Sequence, residues 1–293
     1  MNTHDFLDYL RLERNYSPLT VLKYATGLQL FEEYFKGQDA TLTWETVDAD
    51  VVRNWMEQLM DNGKTPSTVN GRLSTLRSFY RYALKKGIVA YDPTHNITGP
   101  KKAKPLPKFV REGDLDRLLQ PEMWDSSLSC VRARTIIILF YETGMRIAEL
   151  IGLNDADIDF INRRLKVTGK RNKQRLIPFG TEVEMALRQY IALRDEQQER
   201  RGDGLFLNDR GLRMTDAQVR TLVKTQLARV TTQQKRSPHV LRHTFATAML
   251  NHGAGLESVR QLLGHASLAT TEIYTHTTFE QLKNAYRKAH PRS

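Results

Sequence analysis

The chain has 293 residues, enough for two ordinary domains, and its hydrophobic content of 40% allows a buried core. It contains one cysteine, Cys130, which excludes an internal disulfide framework and a cysteine-rich zinc site, and no apolar run approaches the ~20 residues that span a bilayer. The formal net charge of +11 favours a polyanionic partner, nucleic acid before an anionic membrane surface, and the composition fits a cytoplasmic protein.

Residues 1–99 are predicted to form a helical domain. Pro18, preceded by a serine, predicts a helix start. Apolar residues then recur with helical spacing, at Leu22, Tyr24, Leu28 and Phe31. Further helices are predicted at residues 47–60 and 68–86, with a loop at residues 65–67. The inner face of the last helix is predicted to carry Leu73, Leu76, Phe79, Tyr80 and Leu84.

Charge is distributed unevenly over this first part of the chain. Residues 1–63 hold five Lys or Arg against eleven Asp or Glu, whereas residues 64–104 hold nine against one. Three of the basic residues recur every four positions on one predicted helix and form a stripe. Such a stripe is either a solvated helix face or a row of contacts to DNA phosphates. The candidate DNA contacts in this region are Arg72, Arg77, Arg81, Lys85 and Lys102.

A stiff segment follows at residues 100–107, where three prolines fall within eight positions. Proline fixes the backbone and forbids a helix, so this segment is predicted to be the linker between two domains. The second domain is predicted to run from residue 108 to residue 293. Helices are expected there at residues 112–119 and 131–141, and the apolar second one is predicted to be central to the core.

Gly144 is followed by a short predicted helix on which Arg146 and Glu149 lie three residues apart. The pair is either a surface salt bridge or a buried phosphate-binding arginine oriented by Glu149. A hairpin is predicted next from two short strands, residues 164–168 and 175–179, around a polar turn. Residues 163–175 carry seven basic side chains and no acidic one, which indicates either a solvated tip or a contact to an anion.

Helices are then predicted at residues 181–200 and 215–229, with a short strand at residues 205–207 between them. Ser237 and Pro238 predict a further helix start, and on that helix His239 and Arg242 project from one face. Gly253 is placed to end this helix. The segment after it is predicted to contain a helix at residues 256–263, a turn with Gly264 and His265, a helix capped by Ser267 that carries Tyr274, and a terminal helix at residues 279–289 with Phe279, Leu282 and Tyr286 as an apolar stripe.

These residue types suit attack on a phosphodiester. Arginine is a permanently charged fork that matches phosphate, and histidine can donate a hydrogen bond or move a proton near neutral pH. A tyrosine hydroxyl, with an ordinary pKa of ~10, becomes a nucleophile beside cationic groups or a base. Each such residue taken alone is more often packed or solvated. A zinc site is not expected, because His239 and His243 enclose Val240 where a zinc protease has glutamate.

Three segments, TGMRIAELIGL, HVLRHTFAT and LLGHASLATTEIYTH, resemble the tyrosine recombinase (phage integrase) family, and its Xer-type members in particular. The resemblance covers nearly the whole chain. It implies a mainly α fold with a small β-hairpin or sheet. It also implies two domains, an N-terminal helical core-binding domain at residues 1–99 and a C-terminal catalytic domain at residues 108–293.

The resemblance further implies a catalytic set, namely Arg146, Lys170, His239, Arg242, His265 and Tyr274. In that set the two arginines clamp the phosphate and Glu149 supports the first of them. Tyr274 attacks to give a 3′-phosphotyrosine, Lys170 protonates the 5′ oxygen, and His239 accepts a proton or hydrogen bond near the tyrosine. His265 donates a further hydrogen bond. The remaining basic residues of the turn, expected as DNA contacts or as alternatives to the lysine, are Arg171, Lys173 and Arg175.

The activity implied is strand exchange on double-stranded DNA by a tetramer of one or two related recombinases, in chromosome dimer resolution and hence chromosome partition at cell division. No metal is expected, because fixed cations take its place, and no nucleotide, because one phosphate ester replaces another of similar energy. Three alternatives stay open. They are an integrase of a mobile element, a relaxase of the topoisomerase IB kind, and a noncatalytic DNA-binding protein that kept the fold. In similar enzymes the C-terminal tail packs on a neighbouring subunit; packing on its own domain is the alternative.

Overall fold

The computed structural model describes residues 3–102, 109–169, 173–264 and 284–291. The chain divides into two compact units, Met1–Pro105 and Leu106–Ser293. The first unit is helical and the second combines helices with a small antiparallel sheet, which confirms the predicted fold class. The predicted linker falls largely outside the described residues, and the exact domain limits stay a prediction. Within the described part of the chain, no helix combines the length and the apolar character that crossing a membrane requires.

Three helices of the first unit begin where the sequence supplies a capping side chain. Ser17, Asp48 and Thr65 each accept hydrogen bonds from backbone N–H groups in the first turn that follows. The predicted loop at residues 65–67 is wrong, because Pro66 takes the first helical position, where a missing N–H costs nothing. The elements are α1 (Thr3–Asp8), a π-helical turn (Tyr9–Glu13), α2 (Pro18–Gln38), α3 (Ala49–Asp61) and α4 (Pro66–Lys85).

The core of the first unit is built around aromatic rings. The Trp44 ring centroid lies 5.7 Å from that of Phe31 on α2 and 4.5 Å from that of Phe79 on α4, and all three side chains are buried. The predicted inner-face position of Leu84 on α4 is wrong, since Leu84 is 45% exposed, and Leu22 of the apolar spacing on α2 is also exposed. In both helices the apolar residues extend over a wider face than the one that the other helices cover.

The segment that follows α4 is bound back onto α4. Asn70 Nδ2 donates to the carbonyl oxygens of Pro66 and Pro100, at 2.7 and 2.8 Å. The Arg77 guanidinium donates to the carbonyl oxygen of Ile97. Both side chains therefore fix the path by which the chain leaves the first unit.

The helices of the second unit are α5 (Glu112–Leu119), α6 (Leu128–Thr143), α7 (Ile147–Gly152), α8 (Thr181–Gln197), α9 (Asp216–Ala228), α10 (Pro238–Asn251) and α11 (Leu256–Leu263). The central helix is α6, whose run from Ile136 to Tyr141 is fully buried, as its apolar sequence predicts. It packs against α8, α9 and α10. A predicted strand at residues 205–207 is wrong; its Leu207 forms only an isolated bridge with Arg213.

The sheet has the order β1 (Ile158–Asp159), β2 (Arg164–Thr168), β3 (Gln174–Pro178), and both pairings are antiparallel. The predicted hairpin is confirmed in β2 and β3, where Leu165 lies opposite Ile177. The sheet packs by Leu165, Val167 and Ile177 against the main core. The sheet therefore positions Gly169 and Lys173, the described ends of the segment that joins β2 to β3.

The described part of the C-terminal tail, residues 284–291, packs on its own unit. Residues 284–289 are helical, and Tyr286 is buried in a cluster with Phe245, Met249 and Leu262 of α10 and α11. The Tyr286 hydroxyl donates to a Glu142 carboxylate oxygen at 3.3 Å. Of the two alternatives for the tail, these residues show packing within the same domain. Phe279 and Leu282 of the predicted stripe lie outside the described residues.

Candidate active site

The turn between α6 and α7 places Arg146. Gly144 ends α6 in the left-handed conformation, with φ +58°, and Arg146 then caps α7 in an extended conformation. Glu149 of α7 accepts from the Arg146 backbone N–H at 2.7 Å and from its Nη1 at 2.9 Å. The Glu149 carboxylate is 1% exposed, whereas the Arg146 side chain is 42% exposed. The expectation of a buried Arg146 is therefore wrong: its side chain is partly exposed, and buried Glu149 holds it in place.

Arg242 reaches the same place from α10. Its Nη1 donates to Gly144 O at 2.7 Å, and its side chain is almost fully buried. Burial, together with the Arg146 and Arg175 guanidinium groups, lowers the pKa of Arg242 to about 10, against the opposing effect of Glu149. A pKa of about 10 leaves Arg242 charged at neutral pH. The site therefore holds closely spaced positive charges that repel one another. A bound anion would reduce this repulsion.

Three successive backbone carbonyls at the C-terminal end of α11 each accept a hydrogen bond from a different arginine. The C-terminal end of a helix carries partial negative charge, so cations are favourable there. Residue 265 follows directly after the last of these carbonyl groups in the chain. We call Arg146, Arg175 and Arg242 the arginine cluster. Its contacts are Arg175 Nε to Leu262 O (3.3 Å), Arg242 Nη2 to Leu263 O (2.6 Å) and Arg146 Nη2 to Gly264 O (2.9 Å).

Arg175 was expected as a DNA contact or as an alternative to the lysine, but the structure shows its side chain largely buried. Its side chain is 9% exposed and its Nη1 donates to Glu149 Oε1 at 2.5 Å. The sequence carries a signal for this. Residues 175, 177 and 179 alternate along a strand, so Arg175 shares the face of Ile177 and Phe179, which is the core face.

His239 lies in the first turn of α10, exposed, with its ring centroid 4.5 Å from that of His243 one turn later. Partial burial lowers the pKa of His239, and the positive charges of His243 and Arg242 lower it further. An uncharged His239 can accept a proton. Ser237 occupies the predicted capping position but makes no side-chain cap hydrogen bond.

Several predicted residues lie outside the described residues. They are Lys170 and Arg171 of the hairpin turn, and His265 and Tyr274 after α11. The structure describes the positions that flank them. Gly169 N donates to Lys173 O at 2.8 Å across the base of the turn. Gly264 ends α11 with φ +63°, directly before residue 265.

The predicted DNA contacts differ in their surroundings. Arg81, Lys85, Lys102 and Lys173 are exposed, and Arg72 is half-buried on α4. Arg77 instead donates within its own unit, to Ile97 O. In the part of the chain that the structure describes, no three His, Cys, Asp or Glu side chains gather into a group that could hold a metal ion.

Comparison with known proteins agrees with this arrangement. The profile of the phage integrase family matches residues 108–281, and that of the phage integrase N-terminal SAM-like domain matches residues 4–87. The chain is 35% identical over 292 residues to tyrosine recombinase XerD of Oceanobacillus iheyensis, covering 99% of this chain and 98% of that protein. It is 36% identical over 315 residues to tyrosine recombinase XerC of Chlorobaculum tepidum, covering 99% and 94%.

Among solved structures, the fold is similar to the XerH site-specific recombinase bound to palindromic difH substrate in a post-cleavage complex. The TM-score is 0.73 at 25% sequence identity, over 96% of this chain and 82% of that one. The pre-cleavage complex of XerH with difH gives a TM-score of 0.69 at the same identity. The family match and the near full-length relatives show that the chain belongs to the phage integrase family of tyrosine recombinases.

Proposed function

We propose that this protein is a site-specific tyrosine recombinase of the Xer type, which cuts and rejoins double-stranded DNA through a 3′-phosphotyrosine. The observation that supports this most directly is the arginine cluster. Guanidinium groups from β3, α10 and the turn before α7 meet at the end of α11. Two of them, those of Arg146 and Arg175, share the Glu149 carboxylate. Three positive charges against one negative charge leave the site suited to a phosphate.

The two catalytic arginines contribute differently. Arg146 is partly exposed and held in place by Glu149, so it can present its remaining N–H groups to a nonbridging phosphate oxygen. Arg242 is buried, and its charge acts on the same position through a medium from which water is largely excluded. Together they stabilise the charge that develops on phosphorus oxygens in the transition state.

The covalent step exchanges one ester for another. The Tyr274 oxygen forms a bond to phosphorus, and the bond from phosphorus to the 5′ oxygen breaks. The phenol proton passes to His239, and Lys170 gives a proton to the departing oxygen, which leaves as a 5′-hydroxyl. The hydroxyl of a second strand then reverses the attack on a new partner. For Lys170, His265 and Tyr274 these roles rest on the sequence resemblance.

Substitution of Tyr274 by phenylalanine tests the nucleophile. We expect Tyr274→Phe to bind DNA as the unchanged protein does and to form no covalent adduct on a nicked suicide substrate, measured by denaturing gel electrophoresis. Tyr286→Phe is the matched control. Burial and the Glu142 carboxylate raise the pKa of Tyr286 well above its ordinary value, so this hydroxyl cannot serve as nucleophile. An adduct that survives Tyr274→Phe would overturn the assignment.

The finer role we propose is chromosome dimer resolution in the cytoplasm, by a DNA-bound tetramer of this chain alone or with a related recombinase. Similarity to proteins named XerC and XerD over nearly their whole length supports this. Sequencing the DNA trapped by the unchanged enzyme would identify a chromosomal site or the ends of a mobile element. Relaxation of supercoiled plasmids that lack such a site would instead support the relaxase alternative.

A further inference from the structure

Arg175 faces the interior of the second unit although it belongs to the most basic stretch of the chain. It lies on β3 opposite Val167 of β2, which is buried. Its side chain is 9% exposed. DNA phosphate can therefore not be its main partner, and its charge acts on protein groups.

Those groups belong to two other elements of the site. Arg175 Nη1 donates to Glu149 Oε1, the same oxygen that accepts from Arg146 Nη1. Its Nε donates to Leu262 O at the end of α11. A single side chain thus joins the hairpin to the helix that supports Arg146 and to the helix that leads into His265.

Gly264 shows how closely Arg175 fits against this helix end. A Cβ atom at Gly264 would lie 3.0 Å from Arg175 Cδ and 3.1 Å from its Nε and Nη1. Gly264 also has φ +63°, which glycine adopts without strain. A side chain at this position would push the guanidinium away from Leu262 O and Glu149.

We propose that Arg175 is a positioning residue that sets the hairpin turn carrying Lys170 against the phosphate clamp. The proposal rests on the proposed function, because it assumes that Lys170 protonates the 5′ oxygen. The turn closes through Gly169 N and Lys173 O, only two residues before Arg175, so a displaced Arg175 displaces the base of the turn. Arg146 would keep its own bonds to Glu149 and Gly264 O. The defect then falls mainly on protonation of the leaving oxygen, and Arg146 and Arg242 lose only the charge of a neighbour.

A leaving group that needs no proton separates an effect on protonation of the leaving oxygen from an effect on the phosphate clamp. In a suicide substrate with sulfur in place of the 5′ bridging oxygen, the bond from phosphorus to sulfur breaks and the electron pair leaves on sulfur as a thiolate. We expect Arg175→Met to slow single-turnover cleavage of the oxygen substrate by about 100-fold, the contribution typical of a placed general acid. Cleavage of the sulfur substrate should be slowed much less, because its leaving group needs no proton and both arginines that clamp the phosphate keep their charge. DNA affinity should be almost unchanged, because the Arg175 side chain faces the interior.

Arg132→Met is the matched control. The Arg132 side chain is also 9% exposed, and it also donates to one backbone carbonyl and one carboxylate, those of Leu207 and Asp209, neither of which belongs to the arginine cluster. Its loss should affect both substrates equally. Equal slowing of both substrates by Arg175→Met, or no slowing, would overturn the proposal.

Two further variants keep the test informative if Arg175→Met does not fold. Arg175→Lys keeps the charge but cannot bridge Glu149 and Leu262 O, and Gly264→Ala displaces the guanidinium from outside. Both should show the same selective rescue by sulfur, and its absence in folded protein would count against the proposal. Failure of the unchanged enzyme to form an adduct on either substrate would instead refute the proposed function.

Discussion

His239 and His243 form a pair on one face of α10, with ring planes at 74° to each other. Partial burial is the largest cause that lowers the pKa of His239 below its ordinary value of 6.5, followed by the charges of His243, Arg242, Lys235 and Arg220. A histidine with a lowered pKa is uncharged at neutral pH and can accept the phenol proton. His243 thus affects the proton acceptor without itself belonging to the catalytic set.

We expect the rate of DNA cleavage to fall only below pH 6.5, as His239 becomes protonated. The free energy of unfolding should also decrease as the pH falls. The unfolded chain binds this proton at higher pH than the folded one, so stability present above pH 6.5 is lost as the pH falls through the lowered pKa. His243→Gln removes one positive neighbour and should shift the acid limb of the cleavage profile towards pH 6.5. His252→Gln, at the far end of α10, should leave it in place, and a profile unmoved by His243→Gln would contradict this account.

At the scale of elements, the turn that ends α6 controls the arginine cluster. Gly144 holds φ +58°, and a Cβ there would lie 2.4 Å from Phe245 Cδ1 and 2.8 Å from Leu263 Cδ2. Its carbonyl oxygen holds Arg242. A side chain at this position would therefore strain the backbone, collide with a buried ring and move a group that fixes a catalytic arginine.

We expect Gly144→Ala to lower the free energy of unfolding by about 2–4 kcal/mol, because overpacking adds to backbone strain. Cleavage should fall as well. Gly253→Ala is the matched control, since Gly253 has φ +84° and nothing within 4 Å of the added methyl group. It should cost about 1 kcal/mol, from backbone strain alone, and leave cleavage unchanged. Equal losses in denaturant titrations of the two variants would show that the contact with Phe245 does not matter.

Most helices and strands could be predicted from short-range sequence signals such as helix caps. The contacts of some side chains could not, because they depend on tertiary packing. Ser17 with Pro18 fixes a helix start through a hydrogen bond within four residues, and the same reasoning applied to Thr65 and Pro66 would have corrected the predicted loop. The catalytic residues outside the described segments remain predictions from the motif. By contrast, strand alternation indicates that Arg175 faces inward, but its partner is a carboxylate 26 residues away in the chain, which only tertiary packing brings near.

At the scale of the whole molecule, the charge of +11 is concentrated where DNA contacts are proposed. Residues 64–104 carry nine of the basic side chains and one acidic one, and the exposed face of α4 lies within this segment. Binding to duplex DNA releases counterions in proportion to the phosphates that are neutralised, so log K falls with log salt by about 0.9 per contact. The slope of this dependence counts contacts and is insensitive to small changes in stability.

Arg77 and Arg81 lie one turn apart on α4 and carry the same charge, so they form a matched pair. Arg81 is exposed, whereas Arg77 donates to Ile97 O and fixes the segment that follows the helix. We expect Arg81→Gln to lower the salt slope of DNA binding by about 0.9, with no change in thermal stability. Arg77→Gln should leave the slope nearly unchanged and lower the free energy of unfolding by about 1 kcal/mol, through the lost hydrogen bond. Fluorescence anisotropy at several salt concentrations and thermal unfolding measure the two effects. Equal loss of slope in both variants would place Arg77 on DNA, and no loss in either would remove α4 from the DNA interface.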